Sequence, residues 1–277
     1  MPNQRDLAMP FAAKNELPPK PRTTARTEMR GPYYTPMGPN YVTDICKTVG
    51  AFVDSLKYSG GSFSLMPPGA VREINDIAHA HELKVSTGGF IEHLLPRGAG
   101  VVDRYLDAVK ELGFDVVELS AGFISIPTDD WLRLVDRVRD RGLTPKPEIG
   151  VQFGAGGSAS SEVLEAQGTV DPSWAVNQAR RFIDAGVELI MIESEGITEN
   201  VRSWRTDVPA AFINELGLEK LMFEAADPEV FRWYIKNYGP EVNLFVDHSQ
   251  VVELAAIRTG IWGPHDLWGR VVTYKPD

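Results

Sequence analysis

Five glutamates, Glu92, Glu118, Glu148, Glu193 and Glu224, stand in or just beyond short apolar runs, and Lys57 ends a further one. If the fold brought these positions together, several like charges would crowd. Crowding of that kind is unfavourable unless a cation or basic side chains offset it. A ring of carboxylate oxygens is a donor set for a hard divalent ion, and Mg²⁺ is the expected cofactor. The alternative from the residues alone is that some of them form structural ion pairs with Lys57, Lys146 or Arg97.

Other segments carry residues of interest at similar places. Lys57 is followed by a turn containing Gly60, Gly61 and Ser62, and the run at Val85 by Gly88 and Gly89. Glycine turns free backbone N–H groups for phosphate or carboxylate, and a lysine at a strand end can grip the same anion. The Phe153–Ser158 segment is also glycine-rich, but it lacks the lysine and spacing of a P-loop, and no dinucleotide fingerprint occurs. The stretch from there to Asp171 is expected to be a mobile loop that could close over a substrate. His93 and His248 each follow a strand-like run, where an imidazole could donate a proton or hold an anion. Asp247-His248-Ser249-Gln250 is an abrupt polar cluster at a predicted strand-to-helix junction. Cys46 has no placed base, which argues against a nucleophilic role.

The elements that must position these residues alternate. Strands are expected at 53–57, 84–87, 116–120, 146–151, 188–192, 220–223 and 242–246, with helices at 69–81, 101–112, 129–141, 172–185, 200–216, 228–238 and 249–258. Gly113, Gly142, Gly186 and Gly217 follow four of these helices and supply caps that return the chain to a parallel strand. Such repetition fits either an open doubly wound sheet or a single α/β (βα)8 TIM-type barrel. The barrel is preferred, because polar residues sit at the C-terminal ends of successive strands and only a barrel gathers all those ends on one rim. The eighth strand is unassigned, with short candidates near Phe63 or Ile261, so a terminal β/α element is expected to be irregular or missing.

Residues 1–40 hold eight of the 20 prolines and are expected to be an extended arm, with the barrel domain at 41–277. The formal charge of −10 argues against a nucleic-acid partner, which needs clustered positive charge. No apolar run is long enough to span a membrane, and the start lacks the apolar centre of a secretory signal. With a single cysteine, this makes a cytoplasmic location the expectation. The expected partners are a small anionic phosphorylated substrate and further copies of the chain in a homo-oligomer.

Asp54-Ser55-Leu56-Lys57-Tyr58-Ser59-Gly60-Gly61-Ser62, Thr87-Gly88-Gly89-Phe90-Ile91-Glu92, Gly113 to Ser120, Phe223-Glu224-Ala225 and Gly239 to Leu244 together resemble the phosphosulfolactate synthase family, over roughly residues 40–265. Glu92-His93, Lys146-Pro147 and Val246 to Gln250 bring the chain closer to a branch that includes plant heat-stress-associated proteins. The resemblance implies a β/α barrel that adds sulfite to phosphoenolpyruvate with Mg²⁺, on a route to coenzyme M. It implies Glu118, Glu148, Glu193 and Glu224 at the metal or its waters, Lys57 as substrate anchor or acid, and His248 as a catalytic replacement cation. Gly60, Gly61, Ser62, Gly88, Gly89, Ser120, Asn243 and Ser249 are the corresponding substrate-binding positions. The chain departs from the family pattern at Ala121, where the synthases carry an acid, and at Val151-Gln152, where they carry two lysines. It departs again at Glu193-Ser194-Glu195-Gly196, where they carry Glu-Ala-Arg-Glu. Fewer cations suggest either a nucleophile less charged than sulfite or a barrel without the synthase reaction that acts as a stress-related interaction or protective protein.

Overall fold

The computed structural model describes residues 7–157, 159–168 and 170–273. Eight strands follow one another around a closed parallel barrel: β1 (Thr27–Arg30), β2 (Ser55–Lys57), β3 (Lys84–Ser86), β4 (Val116–Leu119), β5 (Thr144–Ile149), β6 (Ile190–Ile192), β7 (Leu221–Glu224) and β8 (Asn243–Asp247). Closure is made by β1, which pairs Met29 with Leu56 on one side and with Val246 on the other. The helices are α1 (Pro39–Val49), α2 (Pro68–Ala80), α3 (Ala99–Glu111), α4 (Thr128–Arg139), α5 (Ser161–Glu165), α6 (Ser173–Asp184), α7 (Asp207–Leu216), α8 (Pro228–Tyr238) and α9 (Val251–Thr259). This is the (βα)8 barrel that the alternation of periodicities predicts. None of the described helices is long and apolar enough to cross a membrane.

The helices α1 to α4 and α6 to α8 each bury a largely apolar stripe. In α4 the buried residues are Trp131, Leu134, Val135 and Val138, at the three- and four-residue spacing that places them on one face. The glycines expected after four helices, Gly113, Gly142, Gly186 and Gly217, all have positive φ, so they let the chain reverse without a strained side-chain-bearing residue.

The missing strand is β1, and it corrects two expectations. It lies within the proline-rich segment, not near Phe63, which sits in a 3-10 turn after β2, nor near Ile261, which follows α9. Residues 1–40 are therefore not simply an arm outside the barrel. Even before β1 the segment is pinned: the Asn15 amide donates to the Arg258 and Val271 carbonyls, and Arg22 pairs with Asp54 at 3.0 Å. Arg258, fully buried, donates to the Ala25 carbonyl at 3.0 Å and to the Thr27 hydroxyl at 2.6 Å. Two helices were not expected, α1 and the one-turn α5. α7 begins at Asp207 and not at Asn200, because residues 193–199 form a tight turn and Asn200 itself adopts positive φ.

The bore of the barrel is unusual in its filling. Among the described residues, Met191, Met222 and Phe245, with Leu189 beside them, form a small apolar cluster inside it, separate from the main core between strands and helices. Charged side chains, with Ser55 bonded to Glu28, occupy much of the remainder. Lys146 on β5 reaches Glu28 on β1 at 2.5 Å, a contact that must cross the bore because β1 and β5 are opposite staves of an eight-stranded ring.

Candidate active site

Above this charged bore, the C-terminal strand ends open into a pocket lined by Arg30, Lys57, Glu118, Glu148, Glu193 and Glu224 from five strands and the turn after a sixth, with residues of the loops forming its walls. The strand register explains the convergence. Side chains alternate across a strand, so Glu28 and Arg30 of β1, and Lys146 and Glu148 of β5, are successive inward positions that stack in layers up the bore.

The lower layer is a salt-bridge ladder. Glu118, with no exposed surface, lies 2.8 Å from the Lys57 ammonium and 3.1 Å from that of Lys146. Lys57 also reaches Glu148 at 3.1 Å and sits 4.5 Å from the centroid of the Phe245 ring. Burial opposes the charge on Lys57, but Glu118 and Glu148 outweigh it and keep the ammonium protonated well above its ordinary range. Burial likewise disfavours the charged form of Glu118, and the two lysines more than compensate, holding the carboxyl below its ordinary range.

The upper layer behaves differently. One oxygen from each of Glu148, Glu193 and Glu224 lies within 4.8 Å of the others. Burial, followed by the charge of Glu118, pushes Glu148 up to about 7. Burial and the neighbouring charges of Glu224 and Glu148 raise Glu193 well above the usual carboxylate range. Glu224 is paired with Arg30 at 2.7 Å. Three hard oxygen donors whose repulsion is incompletely relieved by the protein match a small divalent cation better than a thiolate- or imidazole-seeking metal.

The walls come from the loops. Glu92 accepts from the Ser120 hydroxyl at 3.1 Å and from the Phe123 amide. The loop after β6 folds back so that Glu193 accepts from the amides of Ser194 (2.8 Å) and Glu195 (3.1 Å), while Glu195 accepts from those of Gly156 (2.8 Å) and Gly157 (3.1 Å). The paired glycines have packing reasons. A Cβ on Gly88, at φ +63°, would collide with the Tyr58 carbonyl oxygen, and Cβ atoms on Gly60 and Gly61 would enter the rings of Tyr33 and Phe90.

Of the residues singled out in the sequence, Lys57, Gly60, Gly89, Glu92, His93, Glu118, Ser120, Glu148, Glu193 and Glu224 line the pocket together. Glu118 is the member of the expected metal set that stands apart from the three-carboxylate cluster, committed to its two lysines. The remainder lie elsewhere. His248 is outside the lining, its Nδ1 2.8 Å from the Tyr41 hydroxyl and its Nε2 3.5 Å from that of Thr35. Ser249 donates to Asp247 in the cap that starts the turn before α9. Asn243 is fully buried at the opposite end of its strand, bonding the Arg26 amide at 2.9 Å and the Leu221 carbonyl at 2.9 Å, so it locks β8 to its neighbours. Gly61, Ser62 and Gly88 support the loops behind the wall.

The residues that sequence reasoning missed are Glu28, Arg30, Tyr33 and Tyr34, all from β1 and the turn after it, and Glu195 and Glu199 as pocket walls. The alternation Thr27-Glu28-Met29-Arg30 was a signal, inverted from the usual one because the polar side faces a charged bore. Val151 and Gln152, at the departure from the family lysines, do not line the pocket. Val151 is buried, and Gln152 donates to the Leu164 carbonyl at 3.0 Å, tying down α5. The segment expected to be a mobile loop thus contains a short anchored helix.

Comparison with known proteins agrees with this fold. The solved carboxyl transferase domain from Rhizobium etli pyruvate carboxylase superposes with a TM-score of 0.53 at 12% identity, covering 82% of this chain and 40% of that one, a likeness of fold alone. Protein HEAT-STRESS-ASSOCIATED 32 of Arabidopsis thaliana is 38% identical over 258 residues, 90% of each chain. Phosphosulfolactate synthase of Methanothermobacter thermautotrophicus is 24% identical over 245 residues, 85% of this chain and 89% of that one. The model of the family described as (2R)-phospho-3-sulfolactate synthase (ComA) matches residues 15–264, a span that takes in β1 and the whole barrel. The chain belongs to the phosphosulfolactate synthase family.

Proposed function

We propose that the protein is a divalent-cation-dependent enzyme, with Mg²⁺ as the ion, that adds sulfite or a related nucleophile to phosphoenolpyruvate or a similar phosphorylated acid. The observation that carries this reading is the convergence of Glu148, Glu193 and Glu224 within 4.8 Å, beside the cations Lys57 and Arg30. Those three carboxylates would hold the ion. When bound, it would stabilise the negative charge that builds on the acid as a nucleophile adds to its C3 methylene.

The chain's own groups supply the remainder. Lys57 is held charged between Glu118 and Glu148, so it is an ammonium aimed from below at whatever occupies the pocket. In this reading it anchors the substrate carboxylate or gives a proton to C2. Arg30 is steadied by Glu224 and by the faces of Phe245 and Tyr34, each 5.1 Å from its guanidinium carbon. Ser120 and the backbone at Gly89 and Gly60 form the wall against which the acid lies.

A second reading, a barrel that has lost the synthase reaction and serves a protective or interaction role, is favoured by one comparison. Identity is 38% to the heat-stress-associated protein and 24% to the synthase. Calorimetric titration with MgCl₂ and then phosphoenolpyruvate separates the two. Mg²⁺-dependent binding of the acid, weakened at least about tenfold in Glu193→Gln and Glu224→Gln, supports the enzyme. No binding of the acid with any divalent ion supports the second reading.

A further inference from the structure

A phosphorylated acid whose carboxylate sits on an ion at Glu148, Glu193 and Glu224 has a second anionic end that the pocket must receive. Arg30 and Lys57 belong to the ion end. Each bonds a member of the carboxylate cluster, Arg30 with Glu224 at 2.7 Å and Lys57 with Glu148 at 3.1 Å. A (βα)8 barrel commonly seats phosphate on the turns after its seventh and eighth strands. Here amides of those turns are claimed by the chain's own acids. The Glu229 amide donates to Asp227 at 2.8 Å after β7, and that of Ser249 to Asp247 at 3.0 Å after β8. Between the loops after β5 and β6, the Gly156 amide is likewise closed on Glu195 at 2.8 Å.

The turn after β3 differs. β3 stands across the ring from β7, and the turn that follows it, Gly88–His93, brings His93 into the pocket lining as an exposed side chain. Among the described residues the His93 imidazole makes no ion pair or hydrogen bond, and the Phe90 ring lies 6.0 Å from it. The carboxylates on this side are already committed, Glu118 to Lys57 and Lys146, and Glu92 to the Ser120 hydroxyl and the Phe123 amide. Space beside the turn also points to a ligand. Gly89 has φ −75°, a conformation open to any residue, yet a Cβ on it would lie 2.8 Å from that of Ser120 and 3.5 Å from Oε2 of Glu148. The missing side chain therefore serves space and not backbone geometry, and it leaves bare backbone in the lining between Glu148 and the turn that carries His93. An imidazole donates to a phosphate oxygen in either protonation state and adds a positive charge when protonated.

We propose that His93 is the phosphate-holding side chain of this pocket. The acid lies across the rim, with its carboxylate on the ion at Glu148, Glu193 and Glu224 and its phosphoryl group against His93. This rests on the proposed function, and it adds the orientation of the substrate and a residue that selects a phosphorylated acid over an unphosphorylated one.

The test is calorimetric titration of the full chain with phosphoenolpyruvate and, separately, with oxalate, both with MgCl₂ present. Oxalate offers carboxylate oxygens to the ion but has no phosphoryl group. His93→Ala is expected to weaken phosphoenolpyruvate at least about tenfold, the loss of a hydrogen bond to a charged group, and oxalate by less than about twofold. His93→Arg, which restores a donor, is expected to recover most of the difference. The proposal is overturned if His93→Ala binds phosphoenolpyruvate as the parent does, if it loses both ligands equally, or if His93→Arg binds phosphoenolpyruvate no better than His93→Ala. In each of these cases Mg²⁺-dependent binding of phosphoenolpyruvate by the parent still supports the proposed function, so the inference fails alone. A parent protein that binds no phosphoenolpyruvate with Mg²⁺ overturns both.

Discussion

Glu118 and Lys146 form the hinge of the charge distribution. Both are essentially without solvent, and each satisfies two partners. Breaking a buried network from one side leaves an uncompensated charge, which costs about 3–5 kcal/mol. Lys146→Met, which strips Glu28 of its ammonium and Glu118 of one of two, is expected to lower stability by that amount in urea unfolding. An unchanged midpoint would show that the bore charges contribute nothing. Glu148 makes the opposite kind of statement. Its carboxyl is pushed up to about 7, so the metal-free folded state holds a proton that the unfolded chain has already released. Stability contributed by this group is therefore present at low pH and lost as pH rises from the ordinary carboxylate range through about 7. Denaturation midpoints measured across that window should fall in metal-free protein, and Glu148→Gln should flatten the slope.

At the scale of elements, β1 carries more than its four residues suggest. It closes the ring between β2 and β8 and brings Glu28 and Arg30 into the bore and pocket. Deleting residues through Arg30 is expected to abolish cooperative unfolding followed by circular dichroism, because β2 and β8 would each expose an unpaired edge. Asn15 holds the segment leading to it against the chain's last described turns, through carbonyls at 2.8 Å on both Arg258 and Val271. The turn after β3 is constrained just as tightly. Gly88→Ala combines positive φ with a collision against the Tyr58 carbonyl, and about 1–3 kcal/mol of destabilisation is expected from the strain, readable as a lower melting temperature. Little change would mean that the β2 and β3 turns separate easily, contrary to their close approach.

For the molecule as a whole, acidity is concentrated at the candidate pocket. The chain carries −10 overall, and seven glutamates line its pocket. An ion that binds the folded state alone stabilises by about 2.7 kcal/mol at a hundredfold excess over its dissociation constant. Millimolar MgCl₂ should therefore raise the melting temperature, while the double variant Glu193→Gln, Glu224→Gln should lose the increase. A rise of equal size in both proteins would mark a general screening effect instead.

The sequence by itself determined the barrel. Apolar runs of strand length alternating with amphipathic helices, and glycines at the helix ends, report the packing of helices on the outside of the sheet, which is a local and repetitive signal. It also placed Lys57, Glu118, Glu148, Glu193 and Glu224 correctly on one rim, since position at a strand end is all that a rim requires. Only the tertiary structure decided what fills the inside. β1 escaped because its inward residues are Glu28 and Arg30, so its alternation reads as surface until the partners across the bore, Lys146 and Glu224, are seen. His248 looked catalytic by chain position, yet the turn before α9 aims it at Tyr41 and away from the pocket lining. The direction in which a loop side chain points, and which charges neutralise one another across an eight-stranded ring, are set by contacts between different strands and loops, 118 positions apart for Glu28 and Lys146 and 194 for Arg30 and Glu224, and no local pattern records them.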